Sequence, residues 1–292
     1  MPLWHTYIEF VCLDNTVKIE NKKLKFFGLV CLSTILLVTL TISTHSDFAS
    51  AQNNTLMQPQ GTQGMSNNAT NIVLVHGGWA DGSGWNKQIS ALRDAGHKVI
   101  AVQLPTHSLS EDVETVKRAV AHIGGPTILV GHSYGGEVIT NAGYNNPNVT
   151  GLVYVAAFAP DEGQSLASFV DPSKFPKELF LVDSGGFIYL NPEVFQENFA
   201  QDVTPTEAEL MAIVQKPFNQ SIFMEKSGPP AWKQLPTWYQ ISDADRMIPP
   251  DVQHMFAERM NATTINVNAS HASYVSHPDE ITGLILNATK GK

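Results

Sequence analysis

The sequence predicts an α/β fold: a mostly parallel sheet covered by helices on both faces, with an insertion between two of its strands. Three observations carry this. From Asn71 onward, short apolar runs alternate with helical stretches. Gly131-His132-Ser133-Tyr134-Gly135 joins one such run to a helical stretch. The alternation stops at about Ala159 and resumes at Pro236.

The elements follow in order. Ile72 to Val75 is a β-branched, apolar run and reads as a strand. Trp85 to Ala95 has helical spacing, and Lys98 to Val102 is again a strand. Ser108-Leu109-Ser110-Glu111 has the form of a capping box that opens a helix to about Ile123. Thr127 to Val130 is the next strand, and Glu137 to Ala142 continues the helix after Ser133. Gly151 to Val155 is a further strand. The stretch 159–235 is rich in Phe, Pro and Gly, with helical patches such as Thr206 to Gln215 after Pro205. It reads as an insertion above the sheet rather than a second domain. Strand Pro236–Ile241, helix Pro250–Arg259, strand Thr263–Val267 and helix Pro278–Asn287 close the chain.

The first 70 residues do not share this pattern. A basic cluster, Lys22-Lys23-Leu24-Lys25, precedes 17 uncharged residues from Phe26 to Ile42, and Ala49-Ser50-Ala51 follows. That is the layout of a secretory signal, so residues 1–51 are expected to be removed on export. The alternative is an uncleaved anchor holding the protein in the membrane, facing outside; 17 residues is the short limit for a span. Residues 52–70 read as a flexible linker. Both cysteines, Cys12 and Cys31, lie in the leader, which removes a disulfide framework or thiolate chemistry from the body. The net charge of −9 comes with no basic patch, which argues against a nucleic-acid partner. Seven Asn-x-Ser/Thr sequons, at Asn53, Asn68, Asn148, Asn219, Asn261, Asn268 and Asn287, fit an exported protein. Asn268 is expected to stay unoccupied, because it lies three residues before a histidine with a chemical role.

In a parallel sheet, chemistry gathers at the C-terminal strand ends. A Gly-x-Ser-x-Gly turn between strand and helix pushes the serine hydroxyl out above that edge. Alone the pattern is weak; its strand–turn–helix setting makes Ser133 a candidate nucleophile. Of the eight histidines after residue 70, His271 is best placed as base, directly after the last strand. His277 reads as a helix-start residue, His97 lies at the opposite edge, His122 lies on a helix surface, and His132 cannot turn back on its own neighbour. The base needs an orienting carboxylate. Asp245 is preferred over Asp243, a turn-former, and Asp161. Gly78 and Tyr134 would offer backbone N–H groups to an oxyanion. Trp79 and Phe158 are candidate substrate contacts. The insertion aromatics Phe187, Tyr189, Phe195, Phe199 and Trp232 are expected mostly to pack among themselves, with one or two lining an acyl pocket. No His-x-x-x-His pair implies a metal, and no cofactor is implied.

Val73-Leu74-Val75-His76-Gly77-Gly78-Trp79, the turn Gly131–Gly136, Asp245-Arg246-Met247-Ile248-Pro249-Pro250 and Ser270-His271-Ala272-Ser273-Tyr274 resemble the α/β-hydrolase superfamily. Within it the chain is similar to small esterase-like hydrolases, and less closely to plant methylesterases and hydroxynitrile lyases. The resemblance covers about Asn71 to Ala288. It implies an eight-stranded sheet with a cap after the sixth strand; the first two strands are not evident here. It also implies the order Ser133…Asp245…His271 for a triad. The function expected is hydrolysis of small-molecule carboxylic esters by a secreted serine hydrolase. Lactone hydrolysis or a lyase reaction at the same residues is the alternative, with a non-catalytic binding module as a third reading.

Overall fold

A computed structural model of the chain describes residues 70–291. The leader, nearly all of the linker, and the sequons at Asn53 and Asn68 lie outside the described residues. Among those described, the strands of the main sheet are β1 (Asn71–Val75), β2 (Val99–Ala101), β3 (Thr127–His132), β4 (Val149–Val155), β8 (Thr237–Ser242) and β9 (Thr263–Val267). Their order is β2-β1-β3-β4-β8-β9, and every neighbouring pair is parallel. Among the described residues this is two strands fewer than the resemblance implies, and the stretch before Asn71 that would hold them lies outside those residues apart from Thr70. Because all six strands run the same way, His76, Ser133, Ala156, Asp243 and Asn268 follow their strands at one edge of the sheet.

Every residue of β1 and β3 is buried, so both faces of the sheet centre are covered. One layer pairs α1 (Asn86–Asp94) with the C-terminal α8 (Pro278–Thr289). The other pairs α2 (Leu109–Ile123) with α3 (Tyr134–Ala142). α3 and α8 both pack on β3 and β4, from opposite sides. Burying each Val, Leu or Ile here contributes about 1.5–3 kcal/mol. α2 opens with half of the expected capping box: Ser108 Oγ accepts the Glu111 N–H at 3.2 Å, while the Glu111 carboxylate faces His107 Nδ1 at 3.5 Å. The first helical stretch departs from the expected Trp85–Ala95. Asp81 accepts the Ser83 N–H and starts a short 3-10 turn, Gly82–Trp85, before α1.

Between β4 and β8 the insertion forms a small antiparallel sheet, β5 (Phe180–Val182), β6 (Phe187–Leu190) and β7 (Phe218–Asn219), in order β5-β6-β7. Helices α4 (Pro192–Phe199) and α5 (Pro205–Val214) form a hairpin between β6 and β7. Asn191 caps α4 and Thr204 caps α5, each with proline opening the helix. The insertion is seamed to the body at Thr106. Its N–H donates to Asp112 Oδ1 at 2.9 Å, its hydroxyl to Pro217 O at 2.7 Å, and its carbonyl accepts the Asn219 N–H at 3.0 Å. These bonds hold a β-branched residue at φ 59°, in the left-handed region that such residues avoid. Beyond β8, α6 (Pro250–Arg259) packs on β8, and the short α7 (Ser273–Ser276) precedes α8.

Eight of the nine residues of α3 are buried, Glu137 among them. Neither Glu137 carboxyl oxygen has a hydrogen-bond partner among the described residues. Burial, and secondarily the charge of Glu225, push its pKa well above the usual carboxylate range. The folded protein therefore keeps a proton that the unfolded chain releases above about pH 4.5. Stability from this group is present below that pH and is lost as pH rises toward the folded pKa, by up to about 1.4 kcal/mol per pH unit. Glu137→Met should therefore stabilise the protein, with a gain that widens from pH 5 to pH 8. Urea midpoints across that range check this; a gain independent of pH would mean that Glu137 is ionised in the folded state.

Candidate active site

Ser133 lies between β3 and α3 at φ 53° and ψ −124°, strained for any residue but glycine. Its N–H donates to Val155 O at 3.2 Å, and its carbonyl accepts the N–H groups of Gly136 and Phe158. The turn can be this tight because a Cβ on Gly131 would lie 2.5 Å from Gly135 O, and one on Gly135 would lie 2.6 Å from Val75 O.

Asp245 follows β8 and His271 follows β9, adjacent strands in the sheet. Their side chains meet with Nδ1 of His271 at 2.7 Å from Oδ2 of Asp245, both buried. The carboxylate is held on all sides. Oδ1 accepts the N–H groups of Met247 and Ile248 at 2.7 and 2.9 Å, and Oδ2 also accepts Nε2–H of Gln253 at 2.8 Å. With the carboxylate as acceptor, Nδ1 of His271 carries the hydrogen and Nε2 is left for other work. The other candidates are placed elsewhere. Asp243 is exposed and bonds Asn266; Asp161 pairs with Lys233. His277 faces Asp202, His97 bonds Thr70 O, and His122 is exposed.

Three neighbours were not assigned from sequence. Gln253 sits on α6, where its Oε1 accepts the Ser242 N–H, so one amide ties strand end, carboxylate and helix together. Nothing local marks it. His132 was set aside as base, yet its Nε2 lies 2.9 Å from His271 O and its ring is 4.7 Å from the His271 ring. Burial, then the nearby His271, hold it well below the ordinary imidazole range. His76 sits just before the two glycines. Its Nε2 accepts the Leu104 N–H at 3.0 Å, so the hydrogen is on Nδ1, which donates to Gly77 O at 2.8 Å. Burial lowers its pKa to about 4 and keeps it neutral. A trans peptide sends C=O and N–H in opposite directions. Holding Gly77 O at the imidazole therefore turns the Gly78 N–H away from it. The strict glycine is Gly77, where a Cβ would lie 2.6 Å from Ser133 Cβ; at Gly78 a Cβ would meet only the Phe218 ring, at 3.1 Å.

Gly78, Trp79, Ser133, Tyr134, Phe158 and His271 line one pocket. Asp245 lies behind it, reached through His271. Trp79 packs against Phe180, Phe218 and Phe223, and its Nε1–H donates to Ile188 O at 3.0 Å. Tyr134 closes one side, its hydroxyl donating to Asp112 Oδ2 at 2.7 Å. Burial, partly offset by that bond, raises the Asp112 pKa to about 6.

The expectation for the insertion aromatics is corrected here. None of Phe187, Tyr189, Phe195, Phe199 and Trp232 lines the pocket; Phe175, Phe180, Phe218 and Phe223 do. Alternation along β6 buries Ile188 and Leu190 and leaves Phe187 and Tyr189 half-buried. Phe195 stacks on Phe199, whose ring packs edge-on to His271. Trp232 donates to Pro160 O. Asn268 is exposed, so burial does not bar a glycan there. Among the described residues, no cluster of three or more metal-ligating side chains occurs, and no helix is long and apolar enough to cross a membrane.

Residues 72–283 match the alpha/beta hydrolase family. Over 133 residues the chain is 38% identical to a carbendazim hydrolyzing esterase of Nocardioides, a match that covers 40% of this chain and only 53% of that enzyme. It is 27% identical over 247 residues to a pyrethroid hydrolase of Sphingobium wenxiniae, covering 75% of this chain and 87% of that one. The solved structure of a pyrethroid hydrolase from Sphingobium faniae superposes with a TM-score of 0.66 at 24% identity, covering 76% and 98% of the two chains. The family match spans most of the chain, the parallel sheet and its helices agree with it, and the chain belongs to the α/β-hydrolase family.

Proposed function

We propose that this protein is a serine hydrolase that cleaves carboxylic esters of small to medium apolar acyl groups. The observation that carries the reading is the buried Asp245–His271 bond beside a strained serine, in a pocket walled by aromatic rings. In this reading Ser133 Oγ attacks the acyl carbon while His271 Nε2 takes its proton. The N–H groups of Gly78 and Tyr134 receive the oxyanion. Collapse breaks the bond to the alcohol oxygen, which leaves with the proton from His271. Water then attacks the acyl-enzyme with His271 again as base, and the acid departs as His271 returns that proton to Ser133 Oγ.

The pocket walls argue for the substrate class. Apart from His271, no ionisable group other than the Tyr134 hydroxyl, bonded to Asp112, belongs to its lining. A charged acyl group would be desolvated there without a partner. Carbendazim and pyrethroids, which the names of two relatives give as their substrates, are fitting members of a test panel. Export through the leader belongs to the same proposal; N-terminal sequencing of secreted protein should begin at or near Gln52.

The test is a panel of p-nitrophenyl esters and lactones of graded chain length, with an organophosphonate probe. Short to medium neutral esters should give the highest kcat/KM, with a burst of p-nitrophenol equal to the enzyme concentration. The probe should label Ser133. Preference for lactones would move the assignment to the alternative, and absence of any burst or label would leave a binding module.

A further inference from the structure

The base loop is held from outside the sheet. His271 lies in a loop whose flanking N–H groups both reach the insertion. The Ser270 N–H donates to Asp202 Oδ2 at 2.9 Å, and the Ala272 N–H to Phe199 O at 3.1 Å. The same Asp202 oxygen accepts the Ser276 hydroxyl at 2.9 Å and faces His277 Nδ1 at 3.6 Å. The acid loop is gripped from the same stretch of the insertion, 197–202. Gln201 Nε2–H donates to Ala244 O at 2.6 Å, and Arg246 Nη1–H to Glu197 O at 2.8 Å. Asp202 therefore gathers donors from both ends of the segment 270–277, and His271 sits between them.

We propose that Asp202 is a positioning residue: it seats the loop carrying His271 against the insertion, so that the base is in register with Ser133 only while the α4–α5 hairpin is docked. This rests on the ester-hydrolase reading above. Asp202 does not line the pocket, so it acts through the loop and not on the substrate. The physical basis is the steep dependence of proton transfer on geometry. A shift of the imidazole by about 1 Å costs on the order of 100-fold in rate, while the apolar walls that bind substrate are unaffected.

The test measures kcat, KM and thermal midpoint with a short p-nitrophenyl ester. Asp202→Ala should lower kcat by about 10- to 100-fold, with KM changed less than about twofold. Asp202→Asn keeps an oxygen for Ser270 and Ser276 and should recover most of kcat. Asp161→Ala, which breaks the Lys233 pair elsewhere in the insertion, should leave kcat unchanged. If Asp202→Ala does not fold, Ser276→Ala removes one donor and should lower kcat in the same direction, by less. Full kcat in Asp202→Ala, a loss carried by KM alone, or an Asn variant no better than Ala would overturn the proposal. Ser133→Ala run in parallel separates the two levels. Loss there with full activity in Asp202→Ala overturns the positioning role alone; turnover retained in Ser133→Ala overturns both.

Discussion

Ser133→Ala is expected to remove ester hydrolysis almost completely, by a factor on the order of 10⁶ in kcat, with residual rate from the oxyanion donors and binding alone. Removing the hydroxyl leaves no nucleophile at the strained turn, and no other serine lines the pocket. The fold should survive. Serine and alanine both lack a branched Cβ, and the turn's backbone bonds, from Val155 O to the Phe158 N–H, do not use the hydroxyl. The alanine variant should also lose reaction with the phosphonate probe while its thermal midpoint stays within a few degrees. Undiminished turnover would place the chemistry elsewhere in the molecule.

Asp245→Asn is the second large effect, a fall in kcat on the order of 10⁴. The carboxylate accepts four hydrogen bonds: two from backbone, one from Gln253 and one from His271. An asparagine can accept at only one of its two positions. If its oxygen takes the place of Oδ1, the amide nitrogen faces both Gln253 Nε2–H and His271. The imidazole must then present its bare Nδ1 to that amide, which moves the hydrogen to Nε2 and leaves no base toward Ser133. Gln253→Ala should reproduce a smaller part of this loss, since it removes one donor but leaves the tautomer. Asp243→Asn and Asp161→Asn should both leave kcat within twofold; a large loss in either, with none in Asp245→Asn, would transfer the acid's role.

The main-sheet elements were legible because their signals are local. Apolar runs at β1, β3 and β4, the Ser108 cap and the proline starts at Pro250 and Pro278 each act within a few residues. So do the Gly131 and Gly135 positions, where a single Cβ would collide with backbone. The order of residues along the chain was enough to expect Ser133, Asp245 and His271 near one another, since a parallel sheet delivers every strand end to one edge.

By itself, then, the sequence determined the sheet, the turn that carries Ser133, and which strand ends Asp245 and His271 follow. Only the tertiary structure decided what surrounds them. Phe218 and Phe223, rather than Phe195 and Phe199, face the pocket because the insertion's small sheet and its seam at Thr106 orient them. Gln253, His132 and Asp202 reach the site across separations of 8 to 139 positions, from Gln253–Asp245 to His132–His271, with 68 from Asp202 to Ser270. No periodicity or cap encodes such pairs. The Gln253 and His132 bonds exist only once the sheet has formed, and the Asp202 bond only once the insertion has docked on it, so their placement is a property of packing and not of any local stretch of chain.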